Sequence, residues 1–537
     1  MDLNRLRHSN WTGGQLLAFS GLDGPTDYDN GLTARTAFES CGIDVKLPGN
    51  CKLRFPGQTV DSVLVAGDFF EVQPKTGSGV RGAFLDAHHL LVEGPCEVLE
   101  RDDTIVCVSK GGRVLVGATA CFKEGMIAAD LDAALAERSN WLHQQNLSST
   151  GSPSSQRALL KALSLMKTQV FTPEGNIRHR WTTPDRWPHR GMWLWDSVFH
   201  AIGWRHVDVG LAREMLSAVF DAQREDGFVP HCITPSTGSS ITQPPILALG
   251  VKLVSDVAPD EAWIETLYPK LCAYVAWDLA HRDTDGEGLV EWFIEGDPLC
   301  RSGESGMDNS PRFDSATQLD AVDFNAFLAS ECEVLADFAV LLGLHEDAMK
   351  WKAHHERLCR LINERLWSDE NRFYMDYDVD REAFSPVLAS SGFLPLICGA
   401  ASPKQASQLA GHLRDPELFG TALPVPSVAA KDVGHYAKDM WRGPVWVNLN
   451  WLIAYGFERT GLRDVADELR NKTMREIEKM HEQYGTFFEF YDDQQVVDPP
   501  RLLRKGKCAP EEHPYHQVFH DYGWTATLYV DMVCSQG

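Results

Sequence analysis

The sequence predicts a mainly helical chain, an (α/α)6 barrel preceded by a smaller antiparallel β domain, and two observations carry that prediction. Strand-like alternation is confined to the first quarter of the 537 residues, and helix-period runs take over beyond it. The connections between those runs alternate strictly between short and long, which is how helical hairpins close into a double ring. Hydrophobic residues make up 44% and charged residues 23%, ordinary values for a folded globular protein. A chain of 537 residues can bury one large core or divide into two.

From Leu47 to Phe122 the runs SVLVAGDFFEVQP, AFLDAHHLLVEG, CEVLE, TIVCVS and RVLVGATACF are β-rich and separated by Gly, Pro or Asp. Gly111-Gly112 predicts a two-residue hairpin between the last two. Residues 1–125 are therefore read as a sandwich-like β domain. Residues 126–153 are read as a connector, a helix from Ile127 to Gln145 followed by the linker NLSSTGSPSS. Residues 154–537 are the predicted barrel.

Its first helix is clear, because Leu159, Leu163, Met166 and Val170 share one face. The same periodicity predicts helices over 154–171, 194–206, 209–223, 244–256, 260–281, 322–342, 345–367, 387–399, 403–413, 444–459, 462–483 and 521–533. Short connections fall around Asp208, Ala258, Gly343, Ala401 and Gly461. Long ones cover 172–193, 224–243, 282–321, 368–386, 414–443 and 484–520. All long loops then emerge at one end, ahead of the inner helices, and long loops in compact domains are where function concentrates.

Lys+Arg 50 against Asp+Glu 75 gives a net charge of −25. That sign repels phosphate backbones and anionic membranes, so neither nucleic acid nor membrane is an expected partner. No apolar run approaches the roughly 18 residues of a membrane span. The opening MDLNRLRHSNWTGG has no apolar core of a secretory leader, and the 13 scattered cysteines form no CxxC pair. A cytoplasmic protein with reduced thiols is expected, in which the sequons at Asn10, Asn146 and Asn471 stay unmodified. Oligomeric state is not legible.

The 16 tryptophans decide little alone, but several fall in the long loops. The first loop carries WPHRGMWLWDSVFHA, with Trp187, Trp193, Trp195 and Asp196. Asp196 reads either as an early-turn acid of a helix, or as a carboxylate for sugar hydroxyls beside stacking indoles. The second loop brings Gln243 before a Pro-Pro pair, where it either caps a helix or binds a hydroxyl. The third, EWFIEGDPLCRSGESGMDNSPRFD, holds Glu291, Glu295, Asp297, Glu304, Asp308 and Asp314, most of them read as solvated loop acids. The fifth holds Trp441, Arg442 and Trp446. In the sixth, Glu489 sits among Phe487, Phe488, Phe490 and Tyr491. A carboxylate so flanked needs a partner, either an Arg, a hydroxyl such as that of Tyr491, or water.

Asp308 and Glu489 thus point to one aromatic mouth, and a carboxyl pair is what glycosidic cleavage needs. The sequence has no GxSxG, P-loop, GxGxxG after a strand, or HExxH. DTDGEG at 283–288 is similar to a calcium loop, but its first Gly comes too early for an EF-hand and no Glu follows at position 12. A tight turn is expected there, with no metal and no cofactor.

WLWDSVFHA, TQPP, ESGMDNSPRFD, MWRGPVWVNLNW and FFEFYDD together resemble glycoside hydrolase family 63, nearest to its mannosylglycerate and glucosylglycerate hydrolases, in order over residues 154–533. The resemblance implies an inverting hydrolase on an (α/α)6 barrel, with Asp308 as general acid and Glu489 as general base. It implies that Trp195, Asp196, Gln243 and Arg442 line the subsite of the cleaved sugar, and Trp193, Arg312 and Trp441 are added as substrate-binding candidates. The expected substrate is a small α-glycoside: glucosylglycerate, mannosylglycerate or an α-glucosyl disaccharide. A glycerate carboxylate would call for a cation, with Arg301, Arg312 and Arg442 as candidates. The β domain departs from the compact members of the family, which leaves the aglycone open. Rival readings are an α-glucosidase acting on oligosaccharides, a trehalase-like enzyme, a disaccharide phosphorylase and a non-catalytic carbohydrate-binding protein.

Overall fold

The computed structural model describes residues 3–535 apart from 10, 12, 39, 57–59, 146, 148–151 and 507–517. Asn10, Asn146, Cys508 and half of the 146–155 linker lie outside the described residues.

The N-terminal strands are β1 (Leu16–Ala18), β2 (Thr33–Thr36), β3 (Gly42–Leu47), β4 (Cys51–Arg54), β5 (Val60–Val65), β6 (Phe69–Pro74), β7 (Val80–Asp86), β8 (His89–Glu93), β9 (Glu97–Arg101), β10 (Ile105–Lys110) and β11 (Arg113–Ala118). They form two antiparallel sheets, ordered β1-β2-β3-β4-β9 and β10-β11-β8-β7-β6-β5. Gly111 and Gly112 make the β10–β11 turn with φ of 61° and 78°, the left-handed conformation a two-residue hairpin requires. Three strands precede Leu47, where none was expected. β1 has only three residues and β2 carries the buried polar residues Thr33, Arg35 and Thr36, so neither shows apolar alternation; β3 does alternate, with Ile43 and Val45 buried beside the less buried Asp44 and Lys46.

Strand periodicity explains the continuous apolar runs. In β5 and the residue after it, Val63 and Val65 enter the core between the sheets, while Leu64 and Ala66 face the helical core. A sheet buried on both faces has no polar side to show. The buried Arg35 then ties β2 to the helical part: it donates to the carbonyls of Gly14 (2.7 Å), His520 (3.2 Å), Asp185 (3.0 Å) and Trp187 (2.6 Å).

The helices are α1 (Leu131–Gln144), α2 (Pro153–Thr168), α3 (Leu194–Trp204), α4 (Val209–Val219), α5 (Leu247–Val257), α6 (Glu261–His281), α7 (Val322–Leu341), α8 (His345–Arg365), α9 (Pro403–Arg414), α10 (Val447–Arg459), α11 (Arg463–Tyr484) and α12 (Gly523–Cys534). Between α8 and α9 a 3₁₀ segment, Ser390–Leu396, stands where an α-helix over 387–399 was expected. Pro395 has no N–H to continue a helix. Gly392 sits so close to Phe373 that a Cβ there would come within 2.2 Å of the ring.

α3, α5, α7, the 3₁₀ segment, α10 and α12 touch in that order, and α12 touches α3 again, so the inner elements form a closed ring. α4, α6, α8, α11 and α2 pack outside their hairpin neighbours. α3 and α12 are buried nearly all round, whereas α8 buries only Trp351, Leu358 and Ile362. Beyond α2 the β-ladders are antiparallel pairs of two residues each, plus isolated bridges. No helix among the described residues is long and apolar enough to cross a membrane, and the described cysteines are free thiols.

Candidate active site

At one end of the ring lies a cavity with about 400 Å³ of empty space, walled by segments that run into the N-termini of the inner helices. Trp193, Trp195, Asp196, Gln243, Asp308, Trp441 and Glu489 all line it.

Asp196 is the third residue of α3 and is 3% exposed. Burial pushes its carboxyl well above the ordinary carboxylate range, with Glu489 and Asp185 adding to the shift. Its Oδ1 has no hydrogen-bond partner, nor do the indole N–H groups of Trp441 and Trp524 on the same wall. Gln243 does cap a helix, but the neighbouring one: its Oε1 accepts the N–H of Trp195 at 3.2 Å. The Trp441 and Trp446 rings stack at 3.7 Å and 3°, and Trp524 meets Trp195 edge-on at 5.5 Å. These rings give the cavity rigid apolar faces between its polar groups.

Asp308 reaches the cavity because Gly306 lets its loop cross the face of Trp195. At φ of +70° a Cβ on Gly306 would stand 2.4 Å from the indole. Asn309 fastens the loop by accepting the backbone N–H of Trp441 at 3.0 Å. The Asp308 carboxylate accepts from Lys505 Nζ at 2.7 Å. Burial opposes the charge of that ammonium, but Asp308 outweighs it and holds Lys505 above its ordinary range.

Glu489 is 2% exposed and alone in its aromatic run lines the cavity. Its partner is Arg504, whose Nε and Nη2 donate to the two carboxylate oxygens at 2.8 and 3.2 Å. The Tyr491 hydroxyl is occupied elsewhere, accepting the N–H of Phe488 at 3.2 Å.

Two expected sugar ligands stand outside the wall. Arg312 is fully buried behind it, donating to Asp323 at 2.5 Å and to Asp376 at 3.2 Å. Arg442 grips Asp314 with two bonds of 2.9 and 2.6 Å and the Asn309 carbonyl at 3.1 Å, so it braces the Asp308 loop from outside. Both guanidiniums are spent on acids of this chain. Replacing Arg312 by Leu would leave two buried carboxylates without their cation, a change expected to destabilise the protein by about 3–5 kcal/mol. The readout is a fall in Tm; an unchanged Tm would remove Arg312 from the framework. Arg301 is likewise absent from the wall.

Sequence reasoning missed Arg504 and Lys505, which lie in RLLRKGK, and His189, Tyr522 and Trp524. The Tyr-Gly-Trp start of the last helix, matching the tryptophans ahead of α3 and α10, was the available signal for the last two.

A family model described as the mannosylglycerate hydrolase MGH1-like glycoside hydrolase domain matches residues 188–496. The mannosylglycerate hydrolase of Thermus thermophilus is 29% identical over 404 residues, 59% of this chain and 92% of that protein. The glucosylglycerate hydrolase of Mycolicibacterium hassiacum is 24% identical over 434 residues, 60% of this chain and 91% of its own. The Thermus thermophilus family 63 mannosylglycerate hydrolase in complex with Tris and D-glycerate superposes with a TM-score of 0.57 and 26% identity, over 70% of this chain and 99% of that one. A rhamnosidase from Klebsiella oxytoca, 14% identical with a TM-score of 0.52, covers 100% of this chain and 98% of its own, a likeness of fold alone that takes in the N-terminal sheets.

Proposed function

Because the chain belongs to the mannosylglycerate hydrolase branch of glycoside hydrolase family 63 and is a glycosidase, we propose that it hydrolyses a small α-glycoside of glycerate, mannosyl or glucosyl, with inversion. The observation that carries this reading is the set of orphaned buried polar atoms, Asp196 Oδ1 and the indole N–H groups of Trp441 and Trp524, beside two carboxylates in a cavity of about 400 Å³. Buried polar groups are almost always paired, so such a set calls for a ligand rich in hydroxyls. On this reading the ring of helices is an (α/α)6 barrel over 154–537, joined through 126–153 to a β domain over 1–125.

Asp308 protonates the leaving oxygen as general acid, and Glu489 takes a proton from the attacking water as general base. The two carboxyls should then face each other about 6.5–9.5 Å apart, leaving room for that water. Trp195, Asp196 and Gln243 hold the sugar to be cleaved, with Trp193 and Trp441 beside them. Lys505 is the cation in reach of a glycerate carboxylate on the Asp308 side. A phosphorylase would have no use for Glu489, and a binding protein none for the pair.

The deciding experiment follows product release from glucosylglycerate, mannosylglycerate, kojibiose and trehalose, with and without phosphate, and reads the first anomer by ¹H NMR. The expected result is hydrolysis of a glycerate glycoside, independent of phosphate, giving the β-sugar first. Phosphate dependence, or an α-sugar as first product, would overturn the reading.

Asp196→Ala is expected to lower kcat/KM by about 10- to 100-fold, the worth of one or two hydrogen bonds. Those contacts persist through the reaction, so KM should rise more than kcat falls. Unchanged kcat/KM would leave Asp196 as only the early-turn acid of α3.

A further inference from the structure

A second set of acidic side chains lies at the base of the loop that carries Asp308, and the reaction does not use it. One oxygen each from Asp283, Asp285 and Glu291 lies within 4.8 Å of the others. Glu291 also pairs with Asp320 across an antiparallel bridge, which puts both side chains on the same side of the backbone. Two observations set this cluster apart from a solvated acidic turn. Asp320 is 0% exposed with neither carboxylate oxygen hydrogen-bonded, and Glu291 is 3% exposed with its Oε1 unpartnered. Buried carboxylates are tolerated when protonated or met by a cation. The guanidinium that acts on Asp320, that of Arg365, is engaged by Glu287.

We propose that Asp283, Asp285 and Glu291 bind a calcium ion, with Asp320 as the buried carboxylate behind it. The donors are all hard oxygens on a turn, the set that selects Ca²⁺ over softer metals. Calcium–oxygen bonds of about 2.3–2.6 Å put ligands on opposite sides of one ion about 5 Å apart, which matches the spacing here. The other Glu291 oxygen is fixed by the N–H and hydroxyl of Thr284 at 2.9 and 2.7 Å, so Oε1 is left for the ion. DTDGEG thus does more than turn the chain. Glu291 supplies the carboxylate that an EF-hand takes from its twelfth position. The ion would fasten together the two ends of the 282–321 loop, since Asp283 opens it and Asp320 closes it ahead of α7.

The test uses the full-length protein stripped with EDTA and desalted. Calorimetric titration with CaCl₂ should give one ion per chain, with Kd of roughly 10⁻⁶–10⁻³ M. Tb³⁺ should show luminescence sensitised by Trp292, which adjoins Glu291. At 100-fold excess over Kd, Ca²⁺ should raise Tm by about 2 °C. Asp285 is exposed, so Asp285→Asn should fold, and it should bind Ca²⁺ at least tenfold more weakly. Absence of heat and of Tb³⁺ emission, with the same Tm in Ca²⁺ and EDTA, would mean that Glu291 and Asp320 share a proton instead. Equal affinity for Mg²⁺, or an unchanged Kd in Asp285→Asn, would also overturn the proposal. None of these residues lines the catalytic cavity, so the outcome is independent of the hydrolase reading.

Discussion

Glu489→Gln is expected to lower kcat by about 10²–10⁴, the usual contribution of a positioned general base. The substitution keeps the shape of the side chain and removes only its ability to accept a proton. It also leaves Arg504 buried against a neutral amide, because that guanidinium now spends two hydrogen bonds on the carboxylate. A purely structural effect of the lost ion pair would appear as a lower Tm and weaker ligand binding, whereas loss of the base lowers kcat with KM little changed. Glu489→Ala offers a second discriminator. Azide can enter the vacated space and attack without a base, so it should restore turnover and give a glycosyl azide of inverted configuration. A Glu489→Gln enzyme that keeps its rate would end the two-carboxylate mechanism, and with it the assignment of Arg504 as the residue that holds the base in place.

What the sequence revealed and what it hid follow from the range of the forces involved. Helix positions were legible because burial of one face imposes a 3.6-residue period that needs no knowledge of the partner. The predicted run 322–342 lies within one residue of α7, and 403–413 within one of α9. The fourth inner element failed for two reasons: Gly392 answers to the approach of Phe373, a contact that no local pattern records, and Pro395, which the sequence does show, lacks the N–H an α-helix would use. Glu489 stood out because aromatics flank it on both sides, whereas Asp308 was one of six acids in its loop and was singled out by the resemblance carried by ESGMDNSPRFD. Arginines were misjudged for the opposite reason. Arg312 and Arg442 stand in equally aromatic surroundings, yet their fates depend on acids 64 and 128 residues away. Arg504 and Lys505 look like a solvated basic run, and only folding brings each to a carboxylate on the cavity wall. Charge pairing over such separations is invisible until the chain is closed.

Asp308→Asn should remove most of the remaining rate, again by about 10²–10⁴ in kcat, while fold and ligand affinity survive. The reason lies in the arrangement around it. A general acid must carry a proton when the leaving oxygen needs one, yet here the carboxylate is bonded to the Lys505 ammonium at 2.7 Å. An ammonium and a proton compete for the same oxygen, so Lys505 must turn aside before Asp308 can act. On the proposed roles, an anionic aglycone would draw the lysine to its own carboxylate and so free Asp308 as the substrate arrives. This predicts a contrast between variants. Asp308→Asn should be slow on every substrate, but slowest where the leaving alcohol is poorest; with an activated leaving group such as a nitrophenol, which departs without a proton, much of the rate should return. Lys505→Met should instead remain active and lose affinity for glycerate glycosides relative to neutral ones, because the cation that would meet the glycerate carboxylate is gone. Near wild-type turnover of a glycerate glycoside by Asp308→Asn would remove it from the acid's role. A Lys505→Met enzyme with unchanged preference between anionic and neutral aglycones would show that the ion pair seen here opens without help from the substrate.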